Sequence, residues 1–350
     1  MHYDFLVLGQ GIAGTLLSYE LKKRGRRVLV VADEAAPAAS KAAGGVLNPV
    51  NGKALWQTRK QEKLLPVAIH KYRELEADWQ LPLLTEMPLL HFHTEERLRL
   101  YFEARSREIP ELLQVLKPED AAGWRSFFHV ENGIGAVKHC YVIAARQLLQ
   151  HCRMQLSREG ALLEANWDWP ALRLSAEGVA YKGFTASVLI CCEGAAGRQN
   201  PFFGALPFTR NKGEALLVRI PGLPREFMYQ HGLRLTPWRN EADVFWLGSN
   251  QVWDYEQPAP DRAWREAAVL QLKDWLKTDF EVLEHLCAER PTTAGQTIFA
   301  GAHPRHRQIA LLNGLGTRGF LAGPYYAAQL ARQLCGEEEL EVITHKSLRC

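Results

Sequence analysis

Residues 5–14 read Phe5-Leu6-Val7-Leu8-Gly9-Gln10-Gly11-Ile12-Ala13-Gly14, an apolar run followed by three spaced glycines. Four consecutive apolar residues suit a buried parallel strand. Beyond the glycines, Leu16, Leu17 and Leu21 recur at helical spacing up to Gly25, and Val28-Leu29-Val30-Val31 forms a second apolar strand. Strand, glycine turn, helix and strand follow one another in about thirty residues, the context that makes a G-x-G-x-x-G pattern specific for a dinucleotide. Gly9 permits the tight turn, Gly11 lets backbone approach a pyrophosphate, and Gly14 lets helix and strand pack closely. Ile12 and Ala13 open the helix, whose unpaired N–H groups and positive dipole end suit phosphates. An acidic residue on the adenosine ribose is expected at the end of the second strand. Counting from Gly25, that place falls on Ala32; Asp33, one residue later, is the candidate and requires a bend there.

Two further stretches belong with this unit. Ser40-Lys41-Ala42-Ala43-Gly44-Gly45, followed by Asn48-Pro49, is a small-residue loop on which a flat ring system can lie close to the backbone. Near the chain's end, Ile309-Ala310-Leu311-Leu312 reads as a strand and Asn313-Gly314-Leu315-Gly316-Thr317-Arg318-Gly319 as a glycine turn. A helix is expected from about Pro324 to Leu334, with the proline in its first turn, where proline is tolerated. A chain that returns to its nucleotide unit with a second glycine corner implies a long cofactor held at both ends.

The middle of the chain alternates between two characters. Val188-Leu189-Ile190-Cys191-Cys192-Glu193-Gly194 is an apolar strand ending in a turn, preceded by a helix over 144–152; Gly135-Ala136-Val137 is read as the strand that crosses back. Residues 80–130 are rich in Leu, Glu and Arg. Residues 205–285 hold apolar or alternating runs, including Ala215 to Ile220 and Val244 to Gly248, and a helix over 262–277, as antiparallel strands with covering helices would. The expected fold is α/β: a Rossmann-type dinucleotide-binding domain (1–79, 135–204, 289–350) interleaved with a mainly antiparallel-sheet substrate domain (80–134, 205–288).

Bulk composition excludes several alternatives. A length of 350 residues suffices for one large or two ordinary domains. A net charge of +3 gives no bulk signal for nucleic acid or membrane surface. Seven cysteines, an odd number without C-x-x-C spacing, argue against a disulfide framework and a zinc site and for a reducing compartment. Adjacent Cys191 and Cys192 read as small core residues. The twelve histidines show no helical ligand pair, so no metal is expected. With no charged leader and no apolar run of membrane-spanning length, a cytoplasmic protein is expected.

The motifs together resemble the D-amino-acid oxidase family of FAD-dependent oxidoreductases, which includes glycine oxidase and sarcosine oxidase. The matching stretches are Val7 to Asp33, Ser40 to Gly45, Val188 to Gly194, Lys212-Gly213-Glu214, Arg290-Pro291 and Leu311 to Tyr325. Ala32 to Pro37 and Gly314 to Gly319 are also similar to the oxidase module of a bifunctional tRNA wobble-uridine enzyme, whose methyltransferase domain has no counterpart here. The resemblance implies FAD, held by the Gly9–Gly14 corner, Asp33, Ser40, Lys41, Ala43, Gly44, Gly45, Gly194, Gly314, Gly316, Thr317, Arg318 and Gly319. It implies oxidation of the C–N bond of an amine or amino acid to an imine by hydride transfer to flavin N5, with oxygen or another acceptor taking the electrons.

Such chemistry asks the protein to place a C–H bond against the ring and to orient the substrate. Arg290 lies where the family's carboxylate-binding arginine lies, and a guanidinium can grip a carboxylate with two parallel bonds. Its neighbour Glu289 is placed to compete for it. Arg318, in the second glycine turn, is the candidate for stabilising negative charge on the reduced flavin. Lys41 and Lys212 are possible ring neighbours, and Tyr325 and Tyr326 line the pocket or pack in the core. A larger amine-bearing substrate such as a modified wobble uridine, and a flavin-binding protein without turnover, are the alternatives.

Overall fold

The computed structural model describes residues 1–50, 55, 59–238 and 241–348. The first strand, His2–Leu8, pairs in parallel with Val28–Ala32 on one side and with Phe184–Cys191 on the other. Leu162–Glu164 extends the sheet beyond Val28–Ala32, and Ile309–Asn313 extends it beyond Phe184–Cys191, both in parallel. Phe299–Ala302 closes that edge antiparallel to Ile309–Asn313. Parallel strands covered on both faces read as continuous apolar runs, which is why residues 5–8, 28–32 and 309–313 carry almost no polar side chains.

Helices Ile12–Lys23, Arg59–Trp79, Ala145–Arg158 and Gly319–Leu334 cover one face of this sheet through a core containing Leu16, Leu17, Tyr72, Leu148 and Leu330. The Gly319–Leu334 helix lies directly on the Ile12–Lys23 helix. A Cβ on Gly319 would stand 3.0 Å from Ile12 Cγ2, and one on Gly323 3.0 Å from Leu16 Cδ1. This helix begins five residues before the place expected from Pro324. Proline inside a helix leaves the carbonyl four residues earlier without its amide donor. Here that carbonyl belongs to Phe320, and the buried Tyr72 hydroxyl donates to it at 2.8 Å.

The second large sheet has eight strands in the order Glu281–Glu289, Lys212–Arg219, Val244–Gly248, Leu233–Pro237, Met228–His231, Leu89–Phe92, Ile134–Val137, Leu113–Val115. All neighbours are antiparallel except Met228–His231 with Leu89–Phe92. Gly135-Ala136-Val137 therefore sits within this sheet and is not the crossing strand. Its partners Leu89–Phe92 and Leu113–Val115 both precede it in the chain and pair antiparallel with it. One face is apolar and covered by helix Arg262–Trp275, with Leu216, Phe245, Leu272 and Trp275 in a common core. The opposite face turns toward the parallel-sheet half. Ala215, Trp246 and Leu286 pack there against Ala42 of the small-residue loop. Among the described residues no helix is long and apolar enough to cross a membrane. Six cysteines are free, and Cys350 lies outside the described residues.

Candidate active site

The glycine corner at the end of the first strand owes its shape to two contacts that only glycine permits. Gly9 has φ +95°, and a Cβ there would stand 2.6 Å from the Cys192 carbonyl oxygen. A Cβ on Gly14 would stand 1.9 Å from the Gly9 carbonyl oxygen. Gly11 is less crowded, with only Ser40 Oγ at 3.4 Å from a built Cβ. That same Oγ accepts the Ile12 N–H at 3.0 Å, so Ser40 occupies the helix N-terminus from the side. The Val28–Ala32 strand ends where Asp33 begins a turn, its Oδ1 accepting the Ala35 N–H at 2.8 Å. The bend required at Asp33 is this turn.

The C-terminal corner is tied to the Gly194 turn. Asn313 Nδ2 donates to the Gly194 carbonyl at 2.9 Å while its Oδ1 accepts the Gly314 N–H at 2.8 Å. The Ser40–Gly45 loop is held from the other half of the molecule: Trp246 Nε1 donates to the Ala42 carbonyl at 3.0 Å, and its ring stands 2.9 Å from a Cβ built on Gly44. A Cβ on Gly45 would meet the Ile143 carbonyl oxygen at 2.2 Å.

All three elements open on one cavity of about 1230 Å³, larger than the roughly 300–1,000 Å³ of usual small-ligand pockets. Gly9, Gly11, Ile12, Ala13, Asp33, Ser40, Lys41, Ala43, Gly44, Gly45 and Gly194 line it. Gly316, Thr317, Arg318, Gly319 and Arg290 complete the expected set. Gly14 and Gly314 do not line the cavity. Gly14 is spent on the contact with Gly9, and Gly314, at φ +82°, on the approach to the Thr297 carbonyl. The size suits an extended dinucleotide, and residues of both glycine corners line the cavity, Gly9 and Gly11 from the first and Gly316 and Gly319 from the second.

Several side chains behave differently from expectation. Glu289 does not compete for Arg290. Its two oxygens take Arg198 Nη1 and Nη2, the latter at 3.0 Å, and this pair keeps its carboxyl below the usual range despite burial. Lys212 does not line the cavity; its ammonium pairs with Glu214 at 3.0 Å and donates to the Ala259 carbonyl at 3.1 Å. Lys41 lines the cavity, but its amine is bonded to the carbonyls of Glu34 and Ala36. Tyr325 and Tyr326 pack against the helical core instead of lining the pocket, with Lys63 Nζ donating to Tyr325 Oη at 2.9 Å. Arg318 is half-buried and donates to the Gln296 carbonyl at 3.1 Å. Cys191 and Cys192 are buried, and burial pushes both thiols up.

Arg290 lies over Gly213, where a Cβ would stand 2.0 Å from Nη2. Nη1 donates to Asn211 Oδ1 (2.8 Å) and the Lys212 carbonyl (3.3 Å); Nη2 donates to Ser249 Oγ (3.1 Å) and the Asn250 carbonyl (3.0 Å). Sequence alone does not single out Arg234, Trp246, Ser249 or Glu193, all of which line the cavity. The only signal for Arg234 is a cation inside the apolar stretch Leu233-Arg234-Leu235; its place opposite Gly248 depends on strand register.

A chain whose first and last βα corners share one elongated cavity, faced by an antiparallel sheet, belongs to the two-domain dinucleotide-binding oxidoreductases. Comparison with known proteins narrows this class. The model of the FAD dependent oxidoreductase (DAO) family matches residues 4–333, and the chain belongs to that family. It uses FAD, and the cavity's glycine corners fit that group. Similar solved structures include glycine oxidase from Geobacillus kaustophilus (20% identity, 97% of this chain and 95% of that chain, TM-score 0.77). Glycine oxidase from Bacillus cereus ATCC 14579 gives 17% identity over 96% of each chain, TM-score 0.76. Iminodiacetate oxidase from Chelativorans sp. BNC1 gives 19% over 98% of each, TM-score 0.74.

Proposed function

We propose that the protein oxidises the C–N bond of a carboxylate-bearing amine or amino acid. One observation supports this: the cavity lined by the glycine corners is also lined by Gly213, Ala215, Trp246, Arg290 and Arg234 of the antiparallel-sheet half. FAD, when bound, supplies the acceptor for the hydride on the carbon beside nitrogen. The chain's own residues bind and orient. Arg290 holds the substrate carboxylate, its Nη2 exchanging the neutral Ser249 hydroxyl for a charged acceptor, which makes the stronger bond. Arg318 places a positive group beside the second glycine corner, where negative charge is stabilised. Trp246 pins the Ser40–Gly45 loop and so fixes the ring-facing backbone. Gly9, Gly11, Ile12 and Ala13 receive the pyrophosphate, and Asp33 stands at the ribose end.

The imine leaves for hydrolysis by water to a carbonyl compound and an amine or ammonia, and the electron pair goes to oxygen or an added acceptor. Catalysis by this route needs no metal, and its product chemistry gives the test. Incubation with amino acids and N-methyl amino acids, in air or with a two-electron dye, is expected to yield carbonyl product equal to the amine consumed. Absence of carbonyl product across the panel, from protein retaining FAD, would overturn the reading. Free thiols at the six described cysteines favour a reducing compartment such as the cytoplasm as its place of action.

A further inference from the structure

The cavity-facing side of the antiparallel sheet can be followed across its strands. Ala215 stands opposite Gly248, Gly248 opposite Arg234, Arg234 opposite Gln230, and Gln230 opposite His91. Residues directly opposite one another share a face. At the His91 end, helix Glu96–Glu108 covers this face through Phe102, whose ring stands 2.3 Å from a Cβ built on Gly135, the residue opposite His91. Beyond Arg234 the next residue on this face, Gly248, lies under the Trp246 ring, which stands 2.8 Å from a Cβ built there. From Arg234 onward the face is floored by Gly248, Ala215 and Gly213, and the far end of the floor is occupied by the Arg290 guanidinium.

The two arginines differ in what they have left to give. Arg290 spends both terminal nitrogens on four protein oxygens. Arg234 donates from Nε and Nη2 to a single neutral acceptor, Gln230 Oε1, at 3.3 and 3.2 Å. Its Nη1 has no hydrogen-bond partner among the described residues. No carboxylate pairs with it there, although the residue lines the cavity. The groups around it are neutral: burial, with His93 and then Arg234 beside it, lowers His91 to about 3, and burial pushes the Cys140 thiol up to about 12. Of the other cavity cations, Arg198 pairs with Glu289 and Arg153 with Glu164.

We infer that Arg234 is a specificity-determining residue that binds a second acidic group of the substrate, so that the site takes short diacid amines in preference to simple amino acids. This rests on the amine-oxidation reading and adds the substrate's second charge. Sheet spacing puts the Cα atoms of Gly213 and Arg234 roughly 12 Å apart, two residues along one strand and two strands across. The Arg234 guanidinium leans toward Gln230, on the side away from Gly213, and with two charge-assisted bonds of about 2.8 Å the remaining gap takes a short diacid.

The test uses an unreactive ligand and the FAD-loaded protein. Thiodiacetate and its monomethyl ester differ by one charge, and each is titrated while the flavin absorbance is followed. A charged partner for Arg234 predicts that the diacid binds about 30-fold tighter than the ester. Arg234→Gln is expected to shrink that gap to about 3-fold or less, and Arg234→Lys to restore part of it. Equal affinity of the wild-type protein for the two ligands would overturn the inference, as would an undiminished gap in flavin-retaining Arg234→Gln. Should that variant not retain flavin, the wild-type pair of ligands still decides. Turnover is a separate outcome. A diacid gap without amine-dependent flavin reduction would support Arg234 and overturn amine oxidation, and reduction by amines without a gap would do the reverse.

Discussion

Glu193 closes the Phe184–Cys191 strand at the edge of the cavity. Asn200 Nδ2 donates to its Oε1 at 2.7 Å, and its Oε2 has no partner among the described residues. Burial raises its carboxyl from 4.5 to about 7. Between these values the folded protein holds a proton that the unfolded chain has released, so the neutral carboxyl's contribution is full below about pH 4.5 and is lost as pH rises through about 7. Glu193→Gln is expected to flatten the fall in unfolding free energy across that window, read by urea unfolding at a series of pH values; an unchanged slope would count against it. Arg290 gives a second residue-scale prediction. Arg290→Ala should lower kcat/KM for carboxylate-bearing amines by about 100-fold or more, as loss of a charged bidentate contact does, and for neutral amines far less. Equal losses would mean that Arg290 holds Asn211, Ser249 and Asn250 in place and nothing more. Sequence marked Arg290 by its motif but left its partners open. Whether Glu289 faces Arg290 or Arg198 depends on how the Lys212–Arg219 strand meets it, with Lys212, 77 residues further back, as its register partner, and no local pattern carries that.

Among the elements, the Gly319–Leu334 helix shows how a local rule can be overridden. Pro324 reads as a helix start because an interior proline strands a carbonyl, yet Tyr72, 248 residues away from Phe320, supplies the missing donor. Tyr72→Phe removes it and leaves a buried carbonyl unpaired, at about 1–3 kcal/mol. The thermal midpoint is expected to fall by a few degrees, and a midpoint unchanged in scanning calorimetry would contradict this account of the helix. Of the first glycine corner, the Gly14 contact with Gly9 was legible, because the spacing encodes it within six residues, whereas the approach of Gly9 to the Cys192 carbonyl was not. Gly14→Ala puts a methyl 1.9 Å from the Gly9 carbonyl, where only backbone movement can make room. Purified Gly14→Ala protein should carry little FAD, and a normal flavin content would show that the corner tolerates a wider turn. The Gly135-Ala136-Val137 strand was not legible. A short apolar strand says nothing of which sheet accepts it, and here the antiparallel neighbours before it decide.

At the scale of the whole molecule, the interleaving of a parallel and an antiparallel sheet was readable from the change between continuous and alternating apolar runs. A slot shared by the two glycine corners was expected from their repetition, but the contacts that build it were not, because they join residues far apart in the chain: Gly319 on Ile12, Asn313 on Gly194, Trp246 on Gly44. These contacts make one slot of two remote glycine corners and set it against a cationic sheet face. The most direct measurement is an anaerobic absorbance titration of the purified FAD-loaded protein with carboxylate-bearing amines, short diacid amines among them. The account predicts that the long-wavelength flavin band bleaches on addition of amine and returns when an acceptor is admitted. A flavin band that stays intact through the whole amine series, while dithionite still bleaches it, would contradict the account.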